Sequence, residues 1–240
     1  MQTLQDWLVS MRDGIFPPEC LLCGGGDDLR PGFDACYGCL ADLPRLQNAC
    51  ERCAESLVTR PGSAVLCGAC LARPPAFART RCIGPYSGGL AALVRGLKYQ
   101  RRLENGRLLG CLLGRQLAAF AGTKPLLLVP VPLHPARLRQ RGFNQAAEIA
   151  RWAARVSGLA VHTHVVRRMR STAPQTGLNA RARQANLRRA FASTLRLDGQ
   201  HIALIDDVMT TGSTAASLAQ TLLGAGCERV EVWCCARASV

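Results

Sequence analysis

Histidine is scarce and late in this chain: there are four, the first at His134. Residues 1–133 therefore hold neither a mixed Cys/His finger of the DNA-reading type nor a histidine-based zinc site with an open position for catalytic water. Lysine is confined to Lys98 and Lys124, and no Gly-x-x-x-x-Gly-Lys-[Ser/Thr] frame exists, which excludes a P-loop nucleotidase. Aromatic residues make up only 5% of the chain, and the most basic stretch has just Phe143, Trp152 and Phe191. That is thin material for successive base-stacking platforms. Apolar runs such as LLLVPVPL fall far short of the roughly 18 to 20 residues of a membrane span, so no membrane insertion is expected. The opening MQTLQDWLVSMRDGIF carries Asp6 and Asp13 and no basic leader before a long apolar run. It does not read as a signal peptide, and a cytoplasmic location is expected. No Ser-His-Asp or Cys-His constellation stands out.

What is abundant is positive charge and cysteine. The net formal charge is +14 over 240 residues, and residues 137–198 alone carry 13 Lys/Arg against 2 Asp/Glu. Such a block fits a polyanion, a phosphate-rich small molecule or a solvated face, and composition does not choose among them. With 48% hydrophobic residues the chain can bury a sizeable core, enough for one main domain and a smaller one beside it.

Eight of the thirteen cysteines form four Cys-x-x-Cys pairs: Cys20 and Cys23, Cys36 and Cys39, Cys50 and Cys53, Cys67 and Cys70. The intervening gaps of 12, 10 and 13 residues let knuckles fold back on one another so that four thiolates surround a tetrahedral zinc. Two structural Zn²⁺ sites use all eight ligands. Neighbouring pairs are expected to share a metal, although a crossed pairing fits the same spacing. A disulfide framework is disfavoured by the odd total and the expected location. Cys82, Cys111, Cys227, Cys234 and Cys235 lie in apolar contexts and read as small buried residues.

Consecutive prolines in LARPPAFARTRC, residues 71–82, mark a boundary. A zinc-ribbon domain with an N-terminal helix is expected over 1–76 and an α/β domain over 77–240. Helical periodicity runs over 88–99 and 107–120, and LLLV at 126–129 reads as a buried strand. A helix at 144–157, a strand VHTHVV, a strand IALI at 202–205, a helix at 213–223 and a strand VEVWC follow. This alternation predicts an α/β sheet with helices on both faces.

The stretch IALIDDVMTTGST, residues 202–214, places Asp206 and Asp207 after a strand, where α/β sheets bind ligands. Adjacent carboxylates repel each other, so they call for a partner such as hydroxyls or a metal. Immediately after them, Gly212 and a following helix N-terminus offer backbone amides to an anion, with hydroxyls from Thr210, Thr211, Ser213 and Thr214. A sugar phosphate matches both halves. An ordinary helix cap needs neither two aspartates nor four hydroxyls.

The same stretch resembles the phosphoribosyl pyrophosphate (PRPP) signature of type I phosphoribosyltransferases, and the whole chain resembles the ComF/GntX family of competence-associated proteins. The likeness extends to LKYQRR at 97–102, VPVPLHPARLRQRGFNQA at 129–146, RMRSTAPQTGLNARARQANLRRAF at 168–191 and the order of the cysteine pairs. It implies a type I phosphoribosyltransferase-like sheet preceded by a double zinc ribbon. It further implies ribose contacts at Asp206 and Asp207, 5'-phosphate contacts at Thr210, Thr211, Gly212, Ser213 and Thr214, and a ligand contact at Lys98. Arg141, with Arg137, Arg139 and Asn144 nearby, is implied on the pyrophosphate side. The segment at 168–187 has few large apolar residues and many polar ones, so a hood that closes on ligand is expected there, with Gln175 and Arg183 as its polar residues and Asn186 capping or bracing the return chain. Expected cofactors are two structural Zn²⁺ and Mg²⁺ with PRPP; the expected activity is phosphoribosyl transfer to an acceptor that no residue pattern identifies. The alternative is a non-catalytic nucleic-acid-binding or adaptor factor in competence, with single-stranded DNA or competence proteins as partners.

Overall fold

The computed structural model describes residues 18–58, 65–123, 125–169 and 190–239. The expected N-terminal helix, and Gln175, Arg183 and Asn186 of the expected hood, lie outside the described residues. The chain divides into two compact units, Met1–Leu43 and Pro44–Val240, so the first four cysteines belong to one unit and the next four to the other.

In the first unit, the thiol of Cys36 caps a one-turn helix α1 (Tyr37–Ala41) by accepting from the Cys39 amide. Phe33, Ala35, Leu40 and Leu43 supply the little apolar burial available.

The second unit opens with the other four cysteines and α2 (Gly68–Ala72). It then builds β1 (Thr80–Pro85), α3 (Gly88–Tyr99), α4 (Leu103–Ala119), β2 (Leu127–Pro130), α5 (Pro135–Arg141) and α6 (Gln145–Ser157). After these come β3 (Ala160–Val161), β4 (Val166–Arg168), β5 (Phe191–Ser193), β6 (His201–Met209), α7 (Ser213–Gly224) and β7 (Arg229–Arg237). The five-stranded sheet has the order β1-β7-β6-β2-β3 and is parallel throughout, while β4 and β5 form a separate antiparallel ribbon. The expected α/β class is therefore present.

Both faces are covered, as a parallel sheet of near-continuous apolar strands requires. Ile202, Leu204, Val230 and Val232 pack with Leu218, Ala219 and Leu222 of α7. On the other face α4 and α6 approach closely through glycine: a β-carbon on Gly110 would stand 2.5 Å from Trp152 Cβ, and one on Gly114 2.7 Å from the Ala153 carbonyl. Beneath them, the buried Asn105 donates to the Leu93 carbonyl at 3.0 Å and so locks α4 to α3.

Three expectations need correction. VHTHVV is not one strand: only Ala160–Val161 joins the sheet, and Val166–Arg168 pairs with Phe191–Ser193 instead. The strand expected at 202–205 continues to Met209, because β7 offers a partner as far as Arg237. Sequence periodicity also missed β1, whose residues TRCIGP mix charge, glycine and proline, and the short helix α5.

Candidate functional site

Each group of four cysteines converges. In Cys20, Cys23, Cys36 and Cys39, and again in Cys50, Cys53, Cys67 and Cys70, the sulfur atoms lie within 4.8 Å of one another. Neighbouring pairs thus share a cluster. All thirteen cysteines are free thiols. Backbone amides turn toward the sulfurs, as from Cys67 to Cys50 at 3.3 Å and from Cys39 to Cys36 at 3.4 Å. Against the opposing effect of burial, such N–H groups draw the Cys20 thiol down to about 6 and the Cys50 thiol to about 7. Their neighbours go the other way: Cys39 is raised by its hydrogen bond to Cys36, and Cys70 by burial and the adjacent thiols. Four sulfurs this close cannot all ionise without a cation among them, and a tetrahedral thiolate set is what structural zinc takes. Both clusters fit such sites.

The acidic pair lies inside β6, at a step in the sheet. On one side β7 continues alongside, pairing Asp206 with Cys234. On the other, the β2 register ends at Pro130 opposite Ile205, so Asp206 and Asp207 run past their neighbour. Asp207 is buried and meets Lys98 of α3, with 2.9 Å between Nζ and Oδ1. Asp206 lies in the field of Arg168 from β4, whose guanidinium also feels Arg137. Burial foremost, and then the charge of Asp207, push Asp206 up to about 8, with Lys98 only partly offsetting them. A cation or a set of hydroxyl donors would relieve this carboxylate.

The turn that follows is exposed at Thr210 and Thr211. Thr211 Oγ1 and Ser213 Oγ are 2.8 Å apart, and Thr211 Oγ1 also accepts from the Ser213 amide at 3.4 Å. Gly212, the N-cap of the twelve-residue α7, has φ +72°. A β-carbon there would find ordinary contacts at 3.7 Å with Met209 Sδ and Phe77 Cζ. The left-handed backbone, more than crowding, is what requires glycine.

Arg141 ends α5, its guanidinium 5.8 Å from the centre of the Tyr99 ring, and Arg101 donates to the Gln140 carbonyl at 3.3 Å. The LKYQRR and RLRQR segments are thereby brought together. Arg137 and Arg139 are exposed. Asn144 and His134 serve as helix caps: Asn144 accepts from the Ala146 amide and donates to the Val131 carbonyl, both at 3.1 Å, and His134 accepts from the Ala136 amide. Both amide atoms of Asn144 are thus engaged away from any ligand.

Sequence reading missed Arg168, whose only signal was its place at the head of RMRSTAP. Trp233 and Arg237, near the end of the sequence, are internal and face no acceptor substrate. Trp233 donates to the fully buried Glu231 at 3.3 Å, which also meets Arg79, Arg229 and His201, and Arg237 is itself buried. Among the described residues no helix is long and apolar enough to cross a membrane.

Residues 11–71 match the double zinc ribbon domain family. The chain is 41% identical over 175 residues to the DNA utilization protein YhgH of Salmonella typhi, covering 71% of this chain and 77% of that one. It is 31% identical over 231 residues to competence protein F of Haemophilus influenzae, covering 93% of this chain and 99% of that one. Among solved structures it is similar to the glutamine PRPP amidotransferase from B. subtilis, with 16% identity, TM-score 0.40, and coverage of 59% of this chain and 30% of the other. It is also similar to a hypoxanthine phosphoribosyltransferase from Staphylococcus aureus, with 16% identity, TM-score 0.35, and coverage of 55% and 62%. The likeness to competence protein F spans nearly the whole chain, and by it and the YhgH match the chain belongs to the ComF/YhgH family and carries a double zinc ribbon.

Proposed function

We propose that the chain binds PRPP with Mg²⁺ at the end of β6 and transfers its phosphoribosyl group to an acceptor in the cytoplasm. One observation carries the reading: within nine residues an undercompensated carboxylate pair adjoins a hydroxyl-lined helix N-terminus, which suits a ligand with vicinal hydroxyls at one end and a phosphate at the other. Asp206 and Asp207 orient the ribose hydroxyls. The amides around Gly212 and the hydroxyls of Thr210, Thr211, Ser213 and Thr214 hold the 5'-phosphate. Arg141 meets the leaving pyrophosphate, and Lys98 holds the Asp207 carboxylate in place. In the transfer, the bond from C1' to the diphosphate oxygen breaks as the acceptor bonds to C1', so positive charge grows on the sugar beside the carboxylates and negative charge grows toward the arginines. Mg²⁺ bound with PRPP would neutralise charge growing on the diphosphate, and Asp206 would be the carboxylate closest to it. In this reading residues 1–76 form the zinc-bearing part and 77–240 the transferase part.

Calorimetry with PRPP and Mg²⁺ tests it: the native protein binds, and a folded D206N/D207N variant loses most of the affinity. Equal binding by that variant rules the site out. Pyrophosphate release with candidate acceptors then separates a transferase from a PRPP-binding module.

A second reading, direct contact with DNA, is favoured by one surface. Trp152 on α6 lies between the guanidinium groups of Arg107, 5.4 Å away, and Arg155, 4.4 Å away. Phosphate contacts from such a face would weaken steeply with salt and show little sequence preference.

A further inference from the structure

One buried side chain hydrogen-bonds the second cysteine cluster to the sheet, beside the packing of Cys53 against the core. Arg237 is the last residue of β7 and lies level with Met209, the last residue of β6. It is only 5% exposed. Its Nε donates to the carbonyl of Cys53 at 2.9 Å, its Nη1 to the carbonyls of Met209, at 3.3 Å, and Ala238, and its Nη2 pairs with the Glu55 carboxylate. Thus a single planar fork grips the knuckle that carries Cys53 and the residue from which the Thr210–Gly212 turn departs. The grip is reinforced on two sides. The Ala238 amide donates back to the Met209 carbonyl at 2.9 Å, and Phe77 and Met209 Sδ both line the space beside Gly212.

A buried guanidinium is stable only while its acceptors stay where its rigid fork points. Two of them, the Cys53 carbonyl and the Glu55 carboxylate, sit on a chain segment whose path depends on four thiolates converging on a metal. Without a metal the four sulfurs lose the bonds that draw them together and the knuckle loosens, the fork loses half its partners, and Arg237 must either follow the knuckle or drag on Met209. We infer that Arg237 is a positioning residue that couples metal occupancy of the Cys50, Cys53, Cys67, Cys70 cluster to the conformation of the 209–214 turn. The second cluster is then a control element of the anion-binding turn as well as a staple. That the anion is the 5'-phosphate of PRPP rests on the function proposed above. The coupling itself does not, and it is reciprocal: whatever the metal adds to ligand affinity, the ligand adds to metal affinity.

The test uses the full chain and begins without ligand. Amide hydrogen exchange over residues 209–214 is compared in the native protein, R237Q, R237K, C67S, C20S and C67S/R237Q, with zinc counted by native mass spectrometry and folding checked by circular dichroism. R237Q is expected to keep both zinc ions yet exchange about tenfold faster across the turn, in the usual range of coupling between sites. R237K, which keeps the charge without the fork, is expected to restore little. C67S, emptying the second cluster, should speed the turn equally, and C20S, emptying the first, should leave it unchanged. The double variant should be no faster than either single one, because both break the same link. An R237Q protein with two zinc ions and native exchange overturns the inference, as does an additive double variant. In a final arm, saturating PRPP with Mg²⁺ should slow chelator removal of the second zinc in the native protein but not in R237Q. Native protein that shows no PRPP binding refutes the proposed function and leaves the exchange data to decide the coupling alone.

Discussion

Lys98, in the last turn of α3, stands 2.9 Å from Asp207 on β6 and is one of only two lysines in the chain. Its ammonium is mostly shielded, and Asp207 is more shielded still. Removing one partner of such a pair leaves the other charge without compensation, which costs more than the pair itself contributes. K98M should therefore lower stability by roughly 1.5–3 kcal/mol, the scale of a hydrogen bond to a charged group. K98M/D207N should recover much of that loss. Urea unfolding of the four corners of this double-mutant cycle measures the coupling, and a coupling near zero would reduce the contact to coincidence.

Asp206 provides a pH prediction. Its folded value of about 8 lies above the ordinary carboxylate range, so between roughly pH 4 and 8 the folded state binds more protons than the unfolded chain. This group therefore favours the fold at low pH, and its contribution is lost as pH rises toward 8. Binding should show the opposite slope. A ligand that brings Mg²⁺ needs the ionised carboxylate, so PRPP affinity should rise as pH increases from 6.5 to 8 and then level off. In D206N that slope should vanish. Calorimetry across this range in buffers of differing ionisation enthalpy would show the released proton directly.

How much of this was legible beforehand depends on whether a feature is local. Asp206, Asp207 and the hydroxyl-rich turn are contiguous, so one strand end and one helix start place them together. The cysteine pairs are likewise local knuckles, and the apolar runs at 126–129 and 202–205 announce buried strands. Lys98 and Asp207, by contrast, are more than a hundred residues apart and meet only because α3 lies over β6. Arg237 reads as a surface residue near a tail until β7 carries it into the interior. β1 escaped notice because an edge strand is shaped by its single neighbour, so Arg81, Gly84 and Pro85 are tolerated there despite a poor intrinsic pattern.

Metal content follows from the two sulfur clusters. Purified, reduced protein should contain close to two zinc ions, with C39S and C70S each reducing the count by one. Among the described residues of the unit spanning Met1–Leu43 few apolar side chains are buried, so its fold should depend on its metal. Chelation should release exchange protection around Phe33 and Leu40. Elemental analysis that finds no zinc would remove this account of both clusters.

The α4–α6 contact predicts a sign reversal. Alanine in a helix interior ordinarily gains about 0.8–1.0 kcal/mol over glycine. At Gly110 the new β-carbon would meet Trp152 Cβ at 2.5 Å and the Ile149 carbonyl at 2.6 Å, and overpacking of this kind costs about 1–3 kcal/mol. G110A should therefore destabilise and G110V more so. G224A, at the end of α7 with nothing within 4 Å of its β-carbon, should be neutral or mildly stabilising. Chemical denaturation of the three variants tests the difference.

Gly212 allows two physical explanations of the turn to be separated. If a β-carbon blocks the phosphate, then Asn, Ala and Val at this position should each abolish binding to a similar extent. The structure leaves room there, with neighbours no closer than 3.7 Å, but holds φ at +72°. An ordinary side chain in that region costs about 1–2 kcal/mol, asparagine less, and a β-branched residue most. If backbone conformation is what the phosphate reads, the loss of PRPP affinity should be graded, smallest for G212N, intermediate for G212A and largest for G212V. At about 1.4 kcal/mol per decade, G212A should bind roughly tenfold more weakly than the native protein. Thermal stability should fall much less, because the free turn relaxes away from +72° and meets the full strain only when the ligand is bound. Calorimetry and thermal unfolding on the three variants read both series, and three equal losses of affinity with unequal losses of stability would return the explanation to steric exclusion at the phosphate.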